Sequence, residues 1–73
     1  MKAKIRLDTI GDVNKFVSIT SKLKGRIVIK DSNNLCVNAK SLLGALHAME
    51  FNELWCESEE DIWLAIQDFI VIE

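Results

Sequence analysis

The 73-residue sequence predicts an α+β fold, an open-faced β-sandwich of order β-α-β-β-α-β-α in which a four-stranded antiparallel sheet carries three helices on one face. Three observations carry that expectation. The apolar period switches from two to about 3.6 residues between "KIRLD" and the segment after Val13. Two strand-like runs, "RIVIK" and "LCVN", flank the polar "DSNN", whose composition is turn chemistry for a hairpin. Finally, four strands and three helices in so short a chain leave no room for a second helical layer.

Taken in order, Ile5 and Leu7 alternate with Lys4, Arg6 and Asp8, as in a half-buried strand. Val13, Phe16, Val17, Thr20 and Leu23 form one stripe, which predicts an amphipathic helix over about residues 12 to 23, ended by Gly25. After the hairpin, a short helix at about 41 to 49 begins at Ser41 and places Leu42, Leu46 and Met49 on one side; Leu43 points elsewhere and Gly44 weakens the helix. "ELWC" supplies the fourth strand. Ser58, three residues before Asp61, looks like the start of a last helix over about 59 to 71, striped by Ile62, Leu64, Ala65, Ile66, Phe69 and Ile70. The expected core is Ile5, Leu7, Val13, Phe16, Val17, Ile27, Ile29, Val37, Leu46, Ile62, Ala65, Ile66 and Phe69.

Composition narrows function. Residues 1–73 make a single domain, 49% hydrophobic and 27% charged, without proline. Nine basic residues against eleven acidic give a net charge of −2, so no global field draws the chain to nucleic acid or to an anionic membrane surface. No signal-peptide pattern opens the sequence, and "IWLAIQDFIVI" is too short and too interrupted to span a bilayer, so the cytoplasm is the default location. Cys36 and Cys56 lack metal or redox spacing and read as two small hydrophobes on strands. No metal, cofactor or catalytic constellation is expected, and the protein reads as a non-enzyme. His47, the sole histidine, lies inside the second helix in a solvated or packing role. Trp55 and Trp63 read as core or edge packing, one of them a partly exposed anchor. The acids of "ESEED" read as a negatively charged first helical turn.

The stretch "VNAKSLLG" carries an A-K-S-[LIM] run at a strand-to-helix junction. With "KFVSITSKL" and "SEEDIWLAI", it resembles the HPr family, the small phosphocarriers of the bacterial sugar phosphotransferase system, over nearly the whole chain. The family's chemistry uses a histidine at the start of the first helix, followed after one residue by arginine and then proline. At the matching positions this chain has Thr9, Gly11 and Asp12, a degenerate phosphocarrier site without a nitrogen nucleophile. Thr9 and Asp12 are better read as helix-start residues. Ser41 occupies the position of the family's regulatory serine, which an ATP-dependent kinase phosphorylates in Gram-positive members. The catabolite-repression HPr likewise lacks the histidine and keeps the serine.

The resemblance implies a bacterial regulatory module controlled through Ser41. Leu42, Leu43 and Leu46 would form its partner-binding surface, and an HPr-type serine kinase and a transcriptional regulator its partners. Serine is also among the best N-caps, so the residue type alone is explained by helix capping. Two other functions compete: a phosphocarrier using an atypical acceptor, and an unphosphorylated scaffold or oligomerisation domain. The tight link between the first strand and first helix adds the expectation of a homodimer formed by strand exchange.

Overall fold

The computed structural model describes residues 1–72. Its strands are β1 (Lys2–Ile5), β2 (Ile27–Lys30), β3 (Cys36–Asn38) and β4 (Leu54–Ser58). Its helices are α1 (Ile10–Thr20), α2 (Leu42–Ala48) and the single turn α3 (Trp63–Ile66), which tightens into a 3-10 turn at Gln67–Phe69. The strands form one antiparallel sheet in the order β1-β4-β2-β3, with Ala3 opposite Cys56, Ile5 opposite Leu54, and Ile29 opposite both Cys56 and Val37.

Strand alternation sorts the two faces. Ala3, Ile5, Ile27, Ile29, Leu54 and Cys56 are buried and join Val13, Phe16, Ala45, Ala48, Ile62, Ile66 and Phe69 from the helical segments in one core. Phe16 and Phe69 meet edge to face with centroids 5.4 Å apart, the geometry ring quadrupoles favour. The opposite face carries Lys2, Lys4, Lys30, Trp55 and Glu57. There Lys4 pairs with Glu53 at 3.9 Å, Lys30 pairs with Glu57 at 3.3 Å, and Lys2 lies over the Trp55 ring. This is a solvated, charge-matched surface. The outer edge of β1 is closed by the chain after the 3-10 turn, where the Arg6 amide donates to Phe69 and the Val71 amide to Lys4.

Several expected boundaries shift. Helix α1 begins two residues early and stops at Thr20, because Thr9 and Asp12 cap each other reciprocally: the Thr9 hydroxyl accepts from the Asp12 amide at 3.0 Å, and the Asp12 carboxylate accepts from the Thr9 amide at 3.3 Å. At the other end, the Lys22 and Leu23 amides turn back onto Ile19 and Thr20. Gly25 therefore does not end the helix; at φ +82° it turns the loop into β2.

The last helix is the largest correction. Ser58 does not cap it, because its backbone belongs to the sheet, opposite Ile27 and donating to Met1. The helix consequently cannot start before Ile62, and Asp61 instead accepts from the Trp63 amide at 3.0 Å. "ESEED" is a strand end and a bend rather than a charged helical turn, and Ala65 is exposed where burial was expected.

In α2 the buried residues are Ala45 and Ala48, while Leu46 and Met49 are half-buried and Leu42 is exposed. The helix sits close to β3, which leaves space beneath it only for small side chains. Val17 and Val37 likewise pack against the core without full burial. Cys56 is buried as expected of a small hydrophobe, but Cys36 is exposed.

Candidate functional site

Ser41 caps α2. The Asn38 carbonyl accepts the Ser41 amide at 3.1 Å, which folds the end of β3 into the helix, and the extended backbone at Ser41 (φ −99°, ψ 122°) aims its hydroxyl oxygen at the Gly44 amide, 3.2 Å away. Lys40 is fixed on both sides: its amide donates to the Asn38 side chain at 2.9 Å and its Nζ to the Leu23 carbonyl at 2.6 Å. The junction between β3 and α2 is thus tied to the end of α1.

Leu42 and Leu43 flank the serine and are exposed to 45% and 69%. Leu46 is only half-buried, with part of its side chain against the core. The structure therefore leaves Leu42 and Leu43 accessible next to the half-buried Ser41 and gives Leu46 a mixed role.

At the start of α1, Thr9 and Asp12 spend their side chains on the capping box, and Gly11 contributes no functional group. The adjacent cleft, about 480 Å³, is lined by Arg6, Asp8, Asp12, Lys15 and Asp68. Arg6 is engaged by both carboxylate oxygens of Asp8, at 3.0 and 3.2 Å. With three carboxylates against Lys15 and a guanidinium already held by Asp8, the cleft is a poor cradle for a phosphoryl group. His47, exposed in the last turn of α2, does not line this cleft. No group of three or more His, Cys, Asp or Glu side chains among the described residues is placed to hold a metal ion. Nor is any helix among them long and apolar enough to cross a membrane.

Sequence reasoning missed two residues that fix the backbone, the first of them at the site. One is Lys40, read only as a neighbour of Ser41; nothing in its spacing pointed to the Leu23 carbonyl. The other is Asp31, which is buried and accepts from the Ser32 and Glu53 amides, fixing the turn of the β2–β3 hairpin. Its signal was the "DSNN" turn composition, completed by Asn34 in the left-handed region at φ 67°.

No known protein family, curated protein or solved structure matches this chain.

Proposed function

We propose that this chain is an HPr-like regulatory module that binds a protein partner through the Leu42 and Leu43 edge, is controlled by phosphorylation at Ser41, and does not act as a histidine phosphocarrier. The observation that carries the reading is the pairing of a helix-capping serine with two exposed leucines on an ordered junction, in a fold whose α1 start holds a capping box in place of a phosphoryl acceptor. An ATP-dependent serine kinase would join the Ser41 oxygen to the γ-phosphorus, releasing ADP and the hydroxyl proton. The resulting dianion beside Leu42 and Leu43 would repel an apolar partner or recruit a basic one, a transcriptional regulator being the kind of partner the resemblance implies.

The test is incubation with an HPr-type serine kinase and labelled ATP, with Ser41→Ala in parallel. Label on the wild type alone supports the reading. Absence of label, or equal label on both proteins, leaves Ser41 a cap only.

A further inference from the structure

All nine Lys and Arg residues lie within the first 40 positions, against three acids, whereas the remaining positions hold eight acids and no Lys or Arg. Folding brings the two signs face to face without joining them. A groove of about 490 Å³ runs between the loop after α1 and the segment leading into α3. Lys22 and Lys24 form one lip, Glu60 and Asp61 the other, and Leu23, Ile62 and Ala65 supply apolar lining. All four charged side chains belong to exposed residues, and none of them takes part in an ion pair among the described residues. Leu64, which also lines the groove, is 78% exposed, the most exposed large hydrophobe of the helical segments.

We infer that this groove is the contact surface between two copies of the chain. A patch with a positive lip, an apolar floor and a negative lip is complementary to itself under a two-fold rotation. The rotation sets Lys22 and Lys24 of one copy against Glu60 and Asp61 of the other, twice, and lets each Leu64 enter the opposite groove. Within one chain the lips stay apart because α3 is a single turn anchored by buried Ile62 and Ile66; across the two-fold they can close. The contact leaves β1 in its own sheet, so it differs from strand exchange. It also stands on charge and exposure, independently of the reading of Ser41.

Sedimentation velocity over a concentration series into the high micromolar range tests this at low and high salt. The wild type should associate reversibly, about tenfold or more weakly at ~0.5 M than at ~0.05 M salt. Lys22→Glu with Lys24→Glu makes both lips negative, and Glu60→Lys with Asp61→Asn removes the negative lip while keeping an oxygen for the Trp63 amide. Each double variant should be monomeric alone, and an equimolar mixture of the two should associate again. Leu64→Ser should abolish association with melting unchanged, whereas Leu43→Ser should leave it intact. Circular dichroism confirms that each variant is folded. A wild type that stays monomeric throughout, a mixture that fails to associate, or association indifferent to Leu64→Ser would overturn the inference.

Discussion

The Thr20 hydroxyl donates to the Ala39 carbonyl at 2.8 Å, joining the last residue of α1 to the residue that follows β3, and both residues are completely buried. It is a polar contact inside an otherwise apolar layer, and it holds the β3–α2 junction against the helix that precedes it. Replacing Thr20 by valine keeps the shape but takes the hydroxyl donor away from the buried Ala39 carbonyl, since Val cannot donate. Thr20→Val should lower unfolding free energy by about 1 to 3 kcal/mol, and Thr20→Ser by less, in urea titrations followed by tryptophan fluorescence. A neutral Thr20→Val would show that the hydroxyl adds nothing beyond filling space.

The α1 start makes a second expectation. Thr9→Ala and Asp12→Ala each remove half of a reciprocal cap, so each should cost about 0.5 to 2 kcal/mol, with the double variant losing less than the sum because the two bonds support one another. Incubation with phosphoenolpyruvate and the general phosphotransferase enzyme should leave the wild type unlabelled. An acid-labile, base-stable phosphate that vanishes in His47→Ala would show instead that His47 has become the acceptor.

Much of the fold could be read from residue periodicity, because burial in a sheet this small follows alternation directly: Ile27 and Ile29 had to share a face, and Thr20 had to lie in the stripe with Val13 and Phe16. The last helix could not be read, since Ser58 fits equally well as a cap or as a strand residue. Only its long-range pairing with Met1 and Ile27 decides between them. The face of α2 misled for another reason. Apolar patterning weighs the size of side chains and favours the leucines, but the inward positions went to Ala45 and Ala48, on a helix whose Gly44 lies close against the end of β3. At the candidate site, Ser41 and its neighbours were visible as a motif; the Lys40 tether depends on a carbonyl 17 residues away and leaves no local trace.

Gly44 is where that close approach can be tested. A Cβ at this position would stand 3.1 Å from the Asn38 carbonyl oxygen and 3.5 Å from the Val37 Cβ. Alanine ordinarily gains up to about 1 kcal/mol over glycine inside a helix. Here the carbonyl cannot retreat easily, because Asn38 is paired to Val28 in the sheet and accepts the Ser41 amide. Gly44→Ala should therefore lower the melting temperature instead of raising it, and should loosen the Ser41 cap, seen as faster exchange of the amides at positions 44 and 45. A raised melting temperature would mean that α2 can slide away from β3 at little cost.

The two cysteines should behave as chemically different groups. Cys36 is exposed at the start of β3, whereas the Cys56 thiol is buried in the centre of the sheet. Burial pushes that thiol up from its ordinary value of 9.0 to about 11; the amino-terminal charge pulls it back in part, and Glu57 adds a smaller upward push. Near pH 8 an aromatic disulfide reagent should therefore modify one thiol in the native protein and two in denaturant, and Cys36→Ser should abolish the native reaction. The same shift sets a pH dependence. Between pH 9 and 11 the unfolded thiol loses its proton while the folded one keeps it, so the native state binds more protons and stability falls as pH rises, at up to about 1.4 kcal/mol per unit. Below pH 8 both states hold the proton and the contribution is flat. The comparison is with Cys56→Ala, which is less stable at neutral pH through its lost volume but should lose stability less steeply above pH 9. Parallel curves for the two proteins would show that Cys56 ionises as readily folded as unfolded.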